Sequence, residues 1–397
     1  MDSNSPPAVS SQPTMKPIYL DHNATTPVAP EVMQAMQPYF TEHFGNAMSK
    51  QHSYGWQAQL AVDKAREQVA KLINAQAREI IFTSGATESV HLATIGLIRA
   101  IKAQDPNEKI HLITEPAEHK CVLDAYELAQ ELGAEITFLK INKYGQVAPQ
   151  DVADAITPHT KLVTLLHANN EIGSLQPIEE IGAITRANNV TFHVDAAQTL
   201  GKHEIDVNKM NIDLLSVSAH KLYGPKGSGA LFVKQSTPRV RLKPFLGGGN
   251  QERGLRGGTH NVPAIVGLGQ ACELAQNEMP QETKRLTKLR DEMIEQILAK
   301  IPNSRLNGHP TQRLANNISV SIPGAKMDDL LLKMKDVAFS SGSACSQGTK
   351  FSHVLKAIGL SEDEDYATVR FGLGKSTNKS DLDTVIARLI EASGKIG

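Results

Sequence analysis

Cysteine is scarce in this chain, since Cys121, Cys272 and Cys345 are its three cysteines among 397 residues. Three cysteines cannot build the disulfide framework of a small secreted domain, and we therefore expect a reducing, cytoplasmic environment. An excess of charge is also lacking, because 41 basic and 42 acidic residues leave a formal net charge of −1. Because the protein has no global electrostatic field to attract nucleic acid or a membrane surface, we predict neither as a partner.

Long apolar runs are missing as well, and none reaches the length of a membrane span. The first fifteen residues, MDSNSPPAVSSQPTM, have no basic stretch followed by an apolar one, so we do not expect a secretory signal. Their Ser, Pro and Gln content is typical of a disordered tail, predicted over residues 1–15. The remaining length allows two domains.

The middle of the chain alternates apolar runs with helical patterns. In residues 85–101, the spacing of Val90, Ala93, Leu97 and Ile101 predicts a helix. Strands alternating with helices predict an α/β fold, with a mainly parallel sheet covered on both faces. The predicted strands are 79–85, 109–114, 135–140, 161–167, 190–195, 213–219 and 229–233.

The pattern changes near residue 275. A charged amphipathic helix is predicted over 280–301, and half-buried strands over 316–324 and 367–374. We predict a smaller α+β domain made of residues 16–26 and 276–397, which also carries the loop around Cys345. The large domain would then span residues 27–275.

Two residues at neighbouring strand ends indicate the chemistry. Asp195 ends one predicted strand, and Lys221 follows the next. Ligands of parallel sheets bind beyond the carboxyl ends of strands. A lysine there can form a Schiff base and an acid can pair with a pyridinium nitrogen, so the pair predicts a site for pyridoxal 5'-phosphate (PLP). Taken singly, Lys221 also fits a solvated loop lysine and Asp195 a helix N-cap.

Further polar groups surround this pair. Ala86 and Thr87 stand at a strand-to-helix junction, where N–H groups and the helix dipole favour phosphate, although a helix cap is the simpler explanation of that motif alone. Ser218 and His220 could also hold phosphate, and Gln198 could donate to a ring hydroxyl.

Two more residues stand at the same rim. His119 could stack on an aromatic ring and carry protons, since the pKa of histidine lies near neutrality. The amide of Asn170 offers a donor. An exposed first-turn histidine and an asparagine turn are the respective alternatives.

Cys345 lies among small residues in the segment SSGSACSQG, residues 340–348. An accessible cysteine on such a loop is a candidate nucleophile, with a chance surface thiol as the alternative. Cys121 and Cys272 fall in helical patterns and are expected to be buried and inert. Arg370, within a predicted strand, needs an anion, which could be a substrate carboxylate or a structural salt bridge.

The glycine-rich segment 246–261 does not have the strand and immediate helix of a dinucleotide loop. It contains Arg253, Arg256 and Thr259. We therefore predict a long irregular loop that reaches a phosphate or a partner subunit.

In this order and spacing, the motifs resemble the cysteine desulfurases of the NifS/IscS type, which are class-V PLP enzymes of fold type I. The resemblance runs from Ile18 to about Leu389. It implies a large domain with a mainly parallel seven-stranded sheet between helices, plus a smaller α+β domain. The matching segments are IYLDHNATTP (18–27), FTSGATES (82–89), EHK (118–120), NNEIG (169–173), HVDAAQ (193–198), SAHKLYGPKG (218–227), GLRGGT (254–259) and SSGSAC (340–345).

The resemblance also implies roles for individual residues. Lys221 would hold PLP covalently, Asp195 would pair with its ring nitrogen, and Cys345 would accept the sulfur; with His119 they form the catalytic set. No metal site is implied. The resemblance further implies that Asn170 and Gln198 contact the ring oxygen and that His119 stacks on the ring. The phosphate would be bound by Ala86, Thr87, Ser218 and His220, together with Thr259 from the second subunit of a homodimer. Arg370, with Asn23 and Asn46, would bind the substrate carboxylate.

The implied reaction converts L-cysteine to L-alanine and leaves a persulfide on Cys345. An acceptor protein would then take the sulfur, such as an iron–sulfur cluster scaffold or a sulfurtransferase of a thiolation pathway. The alternatives are selenocysteine lyase or another class-V PLP enzyme, and a non-catalytic sulfur-transfer scaffold. Three departures from the family pattern are His22, the segment NAMS (46–49), and a loop after Cys345 that is one residue shorter, which leaves the acceptor open.

Overall fold

The computed structural model describes residues 17–237, 239–341, 351–361 and 366–393. Cys345 and the predicted N-terminal tail lie outside these ranges. The strands are β1 (Ile18–Tyr19), β2 (Ile80–Thr83), β3 (His111–Thr114), β4 (Glu135–Phe138), β5 (Thr160–Leu166), β6 (Thr191–Asp195), β7 (Leu214–Ser218), β8 (Gly229–Val233), β9 (Arg305–Leu306), β10 (Asn317–Pro323), β11 (Val337–Ala338), β12 (Ser340–Ser341) and β13 (Tyr366–Gly372).

Helices cover the sheets, and three short 3₁₀ helices lie at Ala77–Glu79, Ala219–Lys221 and Gln251–Gly254. The α-helices are α1 (Pro30–Met36), α2 (Pro38–Thr41), α3 (Ser53–Leu72), α4 (Ala86–Lys102), α5 (Lys120–Glu131), α6 (Pro149–Ala155), α7 (Ile178–Ala187), α8 (Val262–Lys300), α9 (Met327–Lys333), α10 (His353–Ala357) and α11 (Lys379–Ala392).

The main sheet has seven strands in the order β2-β8-β7-β6-β5-β3-β4. All the pairs from β7 through β4 are parallel, whereas β8 runs antiparallel to both β7 and β2. Every residue of β2, β3, β7 and β8 is buried, which explains why these strands are mostly apolar in sequence and do not alternate with charged residues. The predicted mainly parallel seven-stranded sheet is confirmed.

From the second half of α8, where Leu286 and Met293 enter a separate core, the chain builds a second, smaller layer of structure. Strands β12, β13, β10 and β9 form an antiparallel sheet, and one face of it packs in a core of its own. Leu20 belongs to that core, and β1 pairs with β11, so the segment after residue 17 joins this part of the molecule. The division into two domains at residues 26 and 275 remains our proposal.

Helix α8 is longer than the sequence pattern predicts, because it begins at Val262 rather than at Pro280, which lies inside it. Glycine and proline in its first half mask the helical pattern. The glycines are there for packing: a Cβ on Gly269 would lie 2.6 Å from the Cα of Ala65 in α3. Within the described ranges, neither α8 nor any other helix is both long and apolar enough to cross a membrane.

Gly229 allows β8 to approach the start of α4. A Cβ on this residue would lie 2.5 Å from the carbonyl oxygen of Val217 and 2.6 Å from the Cα of Gly85. Both contacts are with backbone, which cannot turn away as a side chain can. We predict that Gly229→Ala lowers the free energy of unfolding by about 1–3 kcal/mol, measured by denaturant titration.

Gly247→Ala is the matched control, because a Cβ there would meet nothing within 4 Å. Its effect should stay within about 0.5 kcal/mol. Equal unfolding midpoints for the two variants would contradict the packing argument.

Candidate active site

A cavity of about 610 Å³ lies beyond the carboxyl ends of β6 and β7. It is therefore where ligands of open α/β sheets bind, and its volume suits a cofactor with a small substrate. Most of the residues predicted from the sequence meet in it. Those that line it are Asn23, Ala86, Thr87, His119, Asn170, Asp195, Gln198, Ser218, His220, Lys221 and Arg370.

Asp195 is the buried carboxylate at the end of β6. Burial raises the pKa of its carboxyl group, while a hydrogen bond from the Ala197 N–H (2.9 Å) and the charges of His119 and Lys221 act in the opposite direction. The register of the sheet pairs Asp195 with Ser216 on β7, which places Lys221 a few residues beyond the same edge.

Lys221 ends the short 3₁₀ helix after β7. Its Nζ donates to the carbonyl oxygens of Asn23 (2.6 Å) and Ala24 (2.7 Å). The same N-terminal segment contacts the site again, because Asn23 and Gln198 exchange two hydrogen bonds of 2.9 and 3.2 Å. The N-terminal segment, although far away in sequence, thus fixes the positions of the Lys221 amine and the Gln198 amide at the cavity wall.

One end of the cavity suits an anion. It is formed by the start of α4, where the first N–H groups have no carbonyl within the helix to bind. Ser218 stands beside it, since a Cβ on Gly85 would lie 3.8 Å from the Ser218 Oγ. His220 bonds Thr25 Oγ1 through Nδ1 (3.0 Å). Burial, reinforced by neighbouring lysines, lowers the pKa of His220 to about 4.

Arg370 meets an anion within the protein, as one of its two predicted roles requires. Its Nη2 donates to Asp21 Oδ1 (2.8 Å) and to Ser340 Oγ (3.0 Å), and its Nη1 donates to the Asn170 carbonyl (3.1 Å). Its buried Nε has no hydrogen-bond partner among the described residues. This side chain therefore combines a structural salt bridge with one unused donor.

Asn46 and Thr259 are not brought to this cavity within one chain. Asn46 is exposed, and its Oδ1 accepts from the Met48 N–H at 2.9 Å. Thr259 is exposed on the loop after β8 and lines a smaller neighbouring cavity.

The loop that carries Thr259 is anchored by a buried ion pair. Arg66 donates to both carboxylate oxygens of Glu252, at 2.7 and 2.8 Å, and His260 contacts the same carboxylate at 2.7 Å. These contacts hold Glu252 and Arg253 in left-handed backbone conformations, with φ of 47° and 57°. Such backbone is costly for residues other than glycine and clusters near functional sites.

Three residues of the site, Cys121, Thr25 and Asp21, have roles that were not predicted from the sequence. Cys121, expected to be buried and inert, is buried but also lines the cavity. Thr25 supports His220, and Asp21 pairs with Arg370. Both pairings are long-range in sequence, so no local pattern could have indicated them.

The donor set fits PLP. One cavity of suitable volume is lined by a buried acid, an amine and an anion-binding helix start. These groups match, respectively, the pyridine nitrogen, the aldehyde carbon and the phosphate of PLP. Among the residues that the structure describes, no group of three or more His, Cys, Asp or Glu side chains could hold a metal ion.

Comparison with known proteins identifies the family. Residues 18–385 match the family described as aminotransferase class-V. A relative named cysteine desulfurase IscS, from Rickettsia bellii (strain OSU 85-389), is 46% identical over 381 residues, 96% of this chain and 92% of the relative. The chain belongs to the class-V aminotransferase family and is one of its cysteine desulfurases.

Solved structures agree with this membership. A structure titled NifS-like protein superposes with a TM-score of 0.86 at 33% identity, covering 94% of this chain and 98% of the other. One titled SspA in complex with cysteine gives 0.78 at 39% identity, covering 90% and 98%. The predicted fold type I and the predicted family are confirmed, and this family is PLP-dependent.

A buried histidine supports the strand that carries Asp195. His193 bridges three strands, with Nδ1 3.2 Å from Thr164 Oγ1 and Nε2 2.8 Å from Ser216 Oγ. Complete burial lowers the pKa of His193 to about 3. The imidazole is therefore neutral in the folded protein, whereas in the unfolded chain it takes up a proton near pH 6.5.

This difference makes stability depend on pH. The contribution of His193 is fully present above pH 6.5 and is lost as the pH falls toward 3, because the unfolded state binds more protons in that window. Between pH 7 and 4.5, the wild type should lose about 2 kcal/mol more than His193→Gln. Denaturant unfolding at each pH measures this. Exposed His159→Gln is the control and should follow the wild type; identical slopes for all three proteins would contradict the argument.

Proposed function

We propose that this cysteine desulfurase binds PLP on Lys221, takes sulfur from L-cysteine, and passes it through Cys345 to an acceptor protein. The observation that carries the proposal is the meeting of Asp195, Lys221, His119 and Arg370 in one cavity at the carboxyl edge of the sheet. The relative solved with cysteine supports the choice of substrate.

The cofactor would be held at four points: its ring nitrogen, its phosphate, its ring oxygen and the face of its ring. Asp195 would pair with the protonated ring nitrogen, and the buried position of the carboxylate makes such a positive partner favourable. The start of α4 at Ala86 and Thr87, with Ser218 and His220, would bind the phosphate. Gln198 and Asn170 would contact the ring oxygen, and His119 would stack on the ring. When bound, PLP supplies the electron sink that allows bonds at the α- and β-carbons of the substrate to change.

The substrate carboxylate would be bound by Arg370. Its Nε is buried and has no partner among the described residues, which leaves an N–H for an incoming oxygen. Asn23 lines the same wall, where its Nδ2 donates to Gln198 Oε1 at 3.2 Å, and it stays a predicted substrate contact. Asn46, although exposed in the single chain, stays a predicted substrate contact.

Lys221 is placed to move protons. Its Nζ is oriented by two carbonyl oxygens at 2.6 and 2.7 Å, and can accept a proton from the substrate when it is released from the cofactor. In the sulfur step, the thiolate of Cys345 attacks the substrate sulfur. The S–S bond of the persulfide forms as the substrate C–S bond breaks. The three-carbon fragment takes one proton at its β-carbon, recovers the α-proton from Lys221, and leaves as L-alanine.

A homodimer is part of the proposal. Around the exposed Asn46 lie large side chains that are at least half exposed: Phe44, Tyr54, Trp56 and Leu60. Exposed apolar side chains concentrated in one segment mark an interaction surface. A second copy there would bring Thr259 of the partner subunit toward the phosphate.

The acceptor is proposed by class: an iron–sulfur cluster scaffold or a sulfurtransferase. Cellular thiols can attack a persulfide and release its outer sulfur as sulfide, so efficient transfer would need an acceptor protein that docks near Cys345. The buried free thiols Cys121 and Cys272 fit the cytoplasm as the proposed location.

The proposal is tested by the products. The purified protein with PLP, L-cysteine and a reductant should release alanine and sulfide in equal amounts. Cys345→Ala should lose nearly all sulfide release and keep the absorbance of the bound cofactor, because Cys345 acts after the cofactor is loaded. Cys272→Ala, which removes a buried thiol that does not line the cavity, should keep wild-type rates.

Pyruvate or ammonia in place of alanine and sulfide would contradict desulfurase chemistry. Sulfide release that persists in Cys345→Ala would overturn the role of that cysteine.

A further inference from the structure

His119 caps a helix in addition to lining the cavity. It is the N-cap residue of α5, and its Nδ1 accepts a hydrogen bond from the Cys121 N–H at 3.2 Å. A backbone N–H can only donate. The Nδ1 of His119 must therefore be unprotonated, and the proton of the neutral ring sits on Nε2.

The Cys121 side chain adds a second donor to the same nitrogen. Its Sγ lies 3.1 Å from His119 Nδ1, and the Thr87 side chain hydrogen-bonds the same sulfur. Burial raises the pKa of the Cys121 thiol, so the sulfur keeps its proton and donates it toward the ring. Thr87, Cys121 and His119 all line the cavity.

The surroundings of His119 also favour the neutral ring. Burial lowers the pKa of His119, and Lys221 and His353 lower it further, while Asp195 and Asp124 raise it. A proton added at Nδ1 would face two hydrogen-bond donors. The ring therefore has one nitrogen engaged by donors and one that carries the proton.

We propose that Cys121 is a positioning residue that, together with its own backbone N–H, holds His119 in the Nε2–H tautomer. His119 is thereby a hydrogen-bond donor to whatever occupies the cavity and not a base at Nε2. Proton acceptance during turnover then falls to another group, for which Lys221, on the wall of the same cavity, is our candidate. This inference rests on the proposed function only in assigning the cavity to cofactor and substrate.

The Thr87–Cys121–His119 chain also links the two ends of the cavity. Thr87 belongs to the anion-binding end, and His119 to the end near Asp195. If phosphate takes up the Thr87 hydroxyl, the thiol keeps its bond to Nδ1, and the tautomer is the same with and without PLP.

Nitrogen NMR of histidine tests the proposal directly. Protein labelled with ¹⁵N-histidine is titrated with and without PLP, and His119 is assigned by its loss in His119→Gln. We expect an unprotonated Nδ1 and a protonated Nε2 in the wild type. Cys121→Ala should raise the His119 pKa by roughly half a unit to one unit, because one hydrogen bond to the neutral ring is lost.

Two variants complete the experiment. Cys121→Ser keeps a side-chain donor and should restore most of the wild-type titration. Cys272→Ala removes an equally buried thiol in α8 and should change nothing at His119. A purely structural role of Cys121 predicts similar effects of Cys121→Ala and Cys121→Ser on stability and none on the tautomer.

A wild-type ring protonated at Nδ1, or an unchanged His119 titration in Cys121→Ala, would overturn the inference. Neither readout needs turnover. The expected tautomer in a protein that released no alanine or sulfide would leave the inference standing and overturn the proposed function instead.

Discussion

A buried carboxylate at the end of β6 is the constraint on which the site depends. Moving a charge out of water is costly unless nearby groups compensate it. Asp195 has one N–H donor, from Ala197, and the positive charge of Lys221 within range. These groups leave the carboxylate only partly compensated, and a protonated pyridine nitrogen is the kind of partner that completes its neutralisation. The carboxylate at the end of β6 therefore favours a ligand with a positively charged group, which the pyridine ring of PLP supplies.

The N-terminal segment is the second requirement, because it connects the two parts of the molecule across the cavity. Its carbonyls orient Lys221, its Thr26 bonds the His220 carbonyl at 3.0 Å, and its Asp21 pairs with Arg370. Leu20, next to these residues, is fully buried in the second core. A substrate bound at Arg370 therefore touches a network that also sets the position of the reactive amine.

Much of this could be predicted from the sequence, for reasons that are local. Most strands of the main sheet are buried on both faces, so their apolar segments are visible in the sequence. Asp195 ends one of them and Lys221 follows the next. Helix α3 was not predicted, since its buried face is built mainly from alanine, which gives weak periodicity. The start of α8 was masked by glycines that tertiary packing requires. The Asp21–Arg370 pair, like the hydrogen bond that Lys221 donates to the Asn23 carbonyl, joins residues about 200 or more positions apart and has no signal in any short segment.

The central claim is that Lys221 is the residue that binds PLP covalently. Borohydride reduction of the protein with PLP, followed by peptide mapping in a mass spectrometer, identifies the modified lysine. The account predicts the label on Lys221 and its loss in Lys221→Ala. A label on Lys226, which lines the same cavity, or no label at all would contradict it.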